Sequence, residues 1–578
     1  MDMINLTING IPVSVPKGYT ILQAAKAAKI EIPTLCYLKE INCIGSCRVC
    51  MVEVKGRRGL TAACVIPAED GMEVLTNTPK VRASRKTTIE LLLSTHHKKC
   101  LSCIRNNHCE LQKLAMEYNV DEDRFPSEEP VYEIDDQSPY IVRDNNKCVN
   151  CMRCVSVCKN VQSVSVIGPI RRGYKVHVGS PFDRSLNDSP CVGCGQCIVS
   201  CPVGALYEKS NVDEVWEALA DPDKYVVFYT APSIRATLGE SFDMPIGTNV
   251  EGKMVSAIRR LGVDKIFNMD FTADLTILEE ANELVQRITN HETLPMFTSC
   301  CPGWVKFAEH YYPEMLPHLS SCKSPQAMFG AILKSYYAEK YNIDPEKMFV
   351  VSVIPCTGKK FEVTRQELRS KEFDDVDVAL TTRELARMIK STGIDFADLE
   401  DEDYDAPFNK ATGGGAIFGA TGGVLEAALR TAARMLDGDF KAVEFKEVRG
   451  PEQIREAKYE VAGVEVKVAV TSGLGNARKL IEKIKSGEAD YQMVEVMACP
   501  GGCINGGGQP IRSDKVSNYV DYKALRSKAL YNYDENCALR SSDESPVVKM
   551  IYEDYFEKPG THKAHELLHT TYLPRGNH

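Results

Sequence analysis

Long apolar runs are missing from this sequence, and no stretch approaches the roughly 18 consecutive apolar residues that a membrane-spanning helix needs. The opening MDMINLTINGIPVSVPKG lacks a basic segment followed by an apolar one, so no secretory leader is expected and a cytoplasmic location is. Positive charge is in deficit: 69 Lys and Arg against 79 Asp and Glu leave a net charge of -10. That balance argues against nucleic acid or an anionic membrane as partner. Cysteine, by contrast, is abundant, with 23 in 578 residues. In a reducing compartment these cannot form a disulfide framework, so their spacing reports metal ligation or redox chemistry. A hydrophobic content of 44% and a charged content of 26% exclude disorder or a fibre. At roughly 150 residues per domain, the length predicts about four units.

Residues 4 to 8 alternate apolar and polar, Asn9-Gly10 is a hairpin turn, and Ile11, Val13 and Val15 resume the alternation. A short helix over Thr20 to Lys29 is expected next. Cys36, Cys47, Cys50 and Cys64 then follow the spacing C-x10-C-x2-C-x13-C, which suits a 2Fe-2S cluster. A four-thiolate zinc site stays open on spacing alone. The strand, hairpin and helix favour a plant-type, β-grasp ferredoxin domain over residues 1–79, with Cys43 outside the ligand set. Residues 80–125 carry His96, Cys100, Cys103 and Cys109 after an apolar helical segment, Thr88 to Leu93. One His and three Cys suit zinc or a 4Fe-4S cluster, and His97 competes with His96. Residues 126–140 form an acidic, Pro-containing stretch expected to be a linker.

Within 141–210 stand Cys148-x2-Cys151-x2-Cys154-x3-Cys158 and Cys191-x2-Cys194-x2-Cys197-x3-Cys201-Pro202. Each is the run of bacterial two-cluster ferredoxins, in which the fourth Cys ligates the other cluster. This predicts one 4Fe-4S cluster on Cys148, Cys151, Cys154 and Cys201, and another on Cys191, Cys194, Cys197 and Cys158. Lys159 stands where the first run would carry proline.

Over 211–578 short apolar runs alternate with amphipathic helical patterns: YVVFYTAP, KIFNMDF, LPMFTSC, MFVVSVIPC, VDVALTT, VEVKVAVTSG and QMVEVMAC. This predicts a large α/β domain with parallel strands, so the chain as a whole is multidomain α+β and α/β. Cys300-Cys301, Cys356 and Cys499 end such runs, where open parallel sheets bind ligands. Cys503 follows in CPGGCINGGGQP, whose glycines allow backbone to approach a bulky ligand. These cysteines are placed to converge on one metal site.

Three motifs, TSCCPGW (Thr298 to Trp304), PCTGKKFE (Pro355 to Glu362) and EVMACPGGCINGGGQP (Glu495 to Pro510), resemble those of the FeFe-hydrogenase family, and the resemblance spans essentially the whole chain. It implies an H-cluster: a 4Fe-4S cubane held by Cys301, Cys356, Cys499 and Cys503. The last thiolate also bridges to a two-iron subsite bearing carbon monoxide, cyanide and an azadithiolate, which maturation proteins deliver. The N-terminal modules are similar to those of ferredoxin-dependent monomers, so ferredoxin or flavodoxin is the implied electron partner. The family starts its proton path at the position of Cys300 and continues it through Glu280, Ser320 and Glu283 to Arg287. Read from spacing alone, Glu280, Glu283 and Arg287 are a solvated helix face with an ordinary i,i+4 pair. Lys359 corresponds to a lysine contacting a cyanide. Ala231, Pro232, Ser233, Gln326, Gly415, Phe418, Gly419 and Met497 match other pocket positions. One departure is Ile354, where the family usually has methionine.

The implied reaction is reversible reduction of protons to dihydrogen. Near pH 7 that couple lies at about -0.41 V, close to the roughly -0.4 V of plant-type ferredoxin clusters. The alternatives are a hydrogen sensor, an electron-transfer module like the cluster-bearing subunit of NADH dehydrogenase, or an iron-sulfur assembly protein. The first and last usually lack parts of the proton path, and the second lacks the TSCCPGW half. His565-Glu566-Leu567-Leu568-His569 matches a zinc-protease motif, and Gly473-Leu474-Gly475 hints at dinucleotide binding, with Arg478 at the third glycine position. Both are read as chance matches.

Overall fold

The computed structural model describes residues 2–126, 131–370, 372–437, 445–450, 454–461 and 464–576. Of the expected acidic linker, 127–130 lie outside the described residues.

Asn9 and Gly10 take positive φ values of 51° and 80°, the mirror-image turn whose twist matches its strands. Strand Met3–Ile8 therefore pairs antiparallel with Ile11–Pro16, Ile8 opposite Ile11. Met3–Ile8 also pairs in parallel with Glu73–Leu75 within a five-stranded sheet. Helix Ile21–Ala27 starts at Thr20, which forms a capping box with Gln23. Its buried Ile21, Leu22, Ala24 and Ala25 share a core with Ile4, Leu6, Ile8 and Val52. Burying each large aliphatic side chain contributes about 1.5–3 kcal/mol.

The apolar segment at Thr88 belongs to a longer helix, Pro79–Leu93, capped by Thr78 with proline in its first turn. Arg85 on this helix is buried and donates to the Met51 carbonyl at 2.8 Å and to the Tyr118 hydroxyl at 3.2 Å. It locks the helix to the preceding sheet.

All seven apolar runs of the C-terminal half are strands. One sheet is parallel throughout, in the order Lys265–Asn268, Tyr225–Thr230, Met348–Ile354, Val378–Thr381. The other runs Met296–Phe297, Met493–Met497, Val464–Ser472, Ile454–Val461. Its last strand is antiparallel and was not anticipated, because IREAKYEV lacks an apolar run. Charged residues such as Lys458 and Glu460 mark it as a sheet edge. Four strands from the two sheets lead directly into Ala231, Thr298, Pro355 and Ala498, so their carboxyl ends meet at one place.

Candidate active site and its electron and proton routes

Cys300, Cys301, Cys356, Cys499 and Cys503 line one buried cavity of about 80 Å³. Ala231, Pro232, Ser233, Gln326, Ile354, Lys359, Phe418, Gly419 and Met497 line it too. Gly415 does not. A Cβ there would lie 2.3 Å from the Asp270 carbonyl oxygen, so this glycine lets its segment press on the start of helix Asp270–Thr289. Met269, Ala273, Pro302, Pro325, Pro355, Ala498, Gly502 and Gly506 complete the lining and were not singled out from the sequence. A signal existed for two of them: Met269 and Ala273 share a helical face with Glu280 at spacings of four and seven.

Apart from its thiols, Ser233, Gln326 and Lys359, the chamber lining is apolar, and the Lys359 ammonium bonds both Glu362 oxygens at 2.8 Å. Neither member of the Lys-Lys pair lies on the surface, since Lys360 is buried against Glu384 at 3.0 Å. Burial pushes the Cys356 thiol up to about 12 and Cys300 and Cys499 well above their ordinary value. Thiolates persist in such a place only when a metal replaces the proton. The Ala498 N–H already points at Cys301 Sγ, 3.4 Å away, the donor a ligating sulfur needs. A Cβ on Gly506 would lie 2.2 Å from the Pro355 carbonyl oxygen, so only glycine lets the Cys503 loop close over the chamber. Four convergent sulfurs, an apolar wall and one cation fit an anionic iron-sulfur cluster.

A chain of acids leaves this chamber. Glu280 is fully buried on Asp270–Thr289, and neither carboxyl oxygen has a hydrogen-bond partner among the described residues. Burial first, and the Glu283 carboxylate second, raise it to about 8. The Ser320 hydroxyl bonds Glu283 Oε2 at 3.1 Å, and Arg287 clamps Glu283 Oε1 at 2.6 and 3.0 Å. These side chains are buried or half-buried, so the solvated-face alternative does not describe them.

On the other side run the remaining cysteines. Cys158, Cys191, Cys194 and Cys197 line one small cavity, and Cys148, Cys151, Cys154 and Cys201 line another that shares Ile167 and Leu206 with it. The fold thus brings these sulfurs together in two crossed sets. Cys194 faces Cys356 and Cys499 across the boundary with the catalytic half. At the outer end Cys36, Cys47, Cys50 and Cys64 gather, with Cys50 Sγ 3.3 Å from Cys64 Sγ, while Cys43 is exposed. Asn42 donates to the carbonyls of Cys36 and Cys151 at 2.8 and 3.0 Å, tying this loop to the ferredoxin-like module. Arg153 joins a third party, pairing with Glu110 through two 2.8 Å bonds and donating to the Tyr37 carbonyl. Cys109 immediately precedes Glu110 of that junction, and the buried Arg105 feels the charges of Cys201, Glu110 and Cys109. His96 is buried and held neutral, lowered to about 4 by burial, and its Nδ1 has no partner among the described residues. A neutral imidazole with a free nitrogen suits a metal ligand.

Neither chance motif forms its usual site. The His565 and His569 rings do lie together, 4.1 Å apart, but Glu566 is exposed and both His569 nitrogens are turned to Ser321 and Glu279 instead. Gly475 admits the Val161 carbonyl, 2.8 Å from where its Cβ would lie, which leaves no room for a dinucleotide.

A series of thiol-lined cavities leading to a secluded five-cysteine chamber, with a separate acid chain leading out, defines an iron-sulfur oxidoreductase. Residues 224–507 match the family described as iron only hydrogenase large subunit, C-terminal domain, and 520–575 match iron hydrogenase small subunit. Residues 1–79 match a 2Fe-2S iron-sulfur cluster binding domain; 85–124 and 138–207 match iron-sulfur regions of NADH-quinone oxidoreductases. NADP-reducing hydrogenase subunit HndD of Solidesulfovibrio fructosivorans is 47% identical over 100% of both chains. Iron hydrogenase 1 of Clostridium pasteurianum is 44% identical over 99% of this chain and 100% of its own. A solved structure of a variant of apo [FeFe]-hydrogenase HydA1 from Chlamydomonas reinhardtii aligns with 64% of this chain and 100% of its own, at 40% identity and a TM-score of 0.57. The chain belongs to the iron-only hydrogenase family, and its chemistry is the interconversion of protons and dihydrogen.

Proposed function

We propose that the chain takes electrons from a small carrier protein, a ferredoxin or flavodoxin, and delivers them through four accessory clusters to the five-cysteine chamber. The observation that carries this reading is the continuous series of cysteine groups from Cys36 to Cys503. Cys36, Cys47, Cys50 and Cys64 would hold the 2Fe-2S cluster, and His96, Cys100, Cys103 and Cys109 the first 4Fe-4S cluster. The two crossed ferredoxin-type sets would hold two more, and Cys301, Cys356, Cys499 and Cys503 the H-cluster cubane. When bound, the H-cluster supplies the open iron and the base at which dihydrogen is split or formed. The chain's own part is to exclude water, to hold Lys359 against the cluster's negative charge, and to carry protons. Glu280, protonated at neutral pH, gives its proton to the Glu283 carboxylate as it takes another from Cys300, and Glu283 with Ser320 passes it on beside Arg287. The test is an infrared spectrum of the matured protein, in which bands of iron-bound carbon monoxide and cyanide are expected; their absence would remove the reading.

Ile354 is buried at the end of strand Met348–Ile354 and forms part of the chamber wall. A flexible thioether there would follow a moving ligand, whereas a β-branched side chain is stiff. Ile354→Met is expected to shift the bridging-carbonyl band and change inactivation by carbon monoxide or oxygen, at under about 1.5 kcal/mol in stability. Superimposable spectra and inactivation curves would make Ile354 a packing variant only.

Carrier docking is expected on the basic side of the two outer modules. Lys80, Arg82 and Lys99 are exposed there and Lys86 and Lys98 partly so, with Lys98 paired to Asp123 at 2.9 Å. Arg85, on the same helix, is buried and contributes nothing to this patch. Raising ionic strength from about 0.05 to 0.5 M should raise the KM for an acidic ferredoxin roughly several-fold. Turnover with a small neutral dye should hold, and a salt-independent KM would count against this docking mode.

A further inference from the structure

One member of the acid chain, Glu283, belongs to a cluster whose other two members, Cys322 and His569, the reaction does not use. One ligand-type atom each from Glu283, Cys322 and His569 lie within 4.8 Å of one another. Cys322 and His569 are opposed in an antiparallel bridge, so backbone pairing fixes both. We propose that these three residues form a binding site for a zinc-class divalent cation, and that its occupation closes the proton route at Glu283.

The surroundings are those of a built ligand set. Carboxylate, thiolate and imidazole are the three side-chain donors that zinc takes, in a four-coordinate arrangement. His569 Nδ1 faces the cluster through the Ser321 hydroxyl at 2.8 Å, and that hydroxyl bonds Glu283 Oε2 at 3.0 Å. Its other nitrogen, Nε2, lies 3.2 Å from Oε2 of the fully buried Glu279. A metal-bound imidazole characteristically gives its second N–H to a carboxylate, which fixes its tautomer and strengthens it as a ligand. Glu279 is itself held by the Tyr552 hydroxyl at 2.6 Å and the Gly560 N–H at 3.0 Å. Glu283 is oriented in the same way: Arg287 holds Oε1, while Oε2 points to Cys322 Sγ at 3.8 Å. Ser321 lies in the middle, half-buried, and either offers its oxygen or turns aside.

Entrance is from the surface. His565 is exposed, and its ring stacks on that of His569 with centroids 4.1 Å apart, so a second imidazole stands where an ion would approach. Charge balances: the ion replaces the Cys322 thiol proton, which leaves to solvent, and two anionic ligands with a neutral imidazole offset its two positive charges. The same ion would hold the Glu283 oxygen that Ser320 now bonds, leaving it unable to accept a proton.

The closure, though not the site, rests on the relay proposed above, so the test has two readouts. Crystals of the full chain soaked with one equivalent of Zn2+ should show anomalous scattering between Glu283, Cys322 and His569, independent of turnover. In solution, Zn2+ should inhibit dye-linked hydrogen turnover. Cys322→Ala and His569→Gln, each referred to its own metal-free rate, should raise the inhibitory concentration by at least about 100-fold, as loss of a ligand outweighs loss of its supporting partner. Zinc found only elsewhere, or inhibition unchanged in both variants, would overturn the site. Zinc on the triad with full turnover would keep the site and overturn the relay through Glu283.

Discussion

Cys300→Ala should lose most hydrogen turnover, about 10²- to 10⁴-fold, the range expected when a positioned proton donor is removed. The metal content should stay intact. Cys300 lines the chamber beside four other cysteines, yet its thiol faces Glu280, whose carboxylate helps to raise it after burial has done most. That position lets it pass a proton without being needed to hold iron. Cys503→Ala provides the contrast, because it removes a sulfur from the loop that Gly506 lets close, and should lose the two-iron subsite along with activity. Iron analysis and infrared bands distinguish the two. Full activity of Cys300→Ala at saturating carrier would place the proton path elsewhere.

Glu280→Gln should cut turnover on a similar scale and also change how stability depends on pH. Folding raises Glu280 from an ordinary 4.5 to about 8. The folded chain therefore keeps a proton that the unfolded chain has released, and the stability this confers is complete below about pH 4.5 and lost as pH rises to about 8. At full slope the loss is about 1.4 kcal/mol per pH unit. Glutamine has no proton to lose, so the variant should gain on the parent across that window and gain nothing further above it. Denaturation midpoints at pH 5, 6.5, 8 and 9 would show this. Parallel curves for parent and variant would mean that Glu280 is not protonated in the fold.

The strands and the C-x2-C-x2-C-x3-C runs were legible in the sequence because both are local. A run such as MFVVSVIPC can be buried on both faces only as a central strand, and C-x2-C-x2-C-x3-C brings sulfurs together within one loop and helical turn. Edge strand Ile454–Val461 was not legible, since residues 454–460 stay partly or fully exposed and only backbone pairing with Val464–Ser472 makes it a strand. The burial of Arg85 has the same origin, for nothing in a basic helix reveals that one arginine will reach the Met51 carbonyl. The polar contacts around Glu283 depend on partners far away in the chain: His569 meets Ser321 across 248 positions and Glu279 across 290. Tertiary structure alone brings them together. Gly415 illustrates the converse, a position carried over from the resemblance whose visible work is steric, away from the chamber.

The joint between the last ferredoxin-type loop and the catalytic half has a kinetic meaning. A Cβ on Gly195 would lie 2.7 Å from Gly507 Cα, and Thr357 donates to the Gly193 carbonyl at 2.7 Å. Backbone rests on backbone here, and the Thr357 hydroxyl is set against the same loop. In the proposed route the last electron transfer would run between two parts held directly against each other, so that distance and driving force set its rate. In that route the steps left to limit turnover are carrier docking and proton transfer.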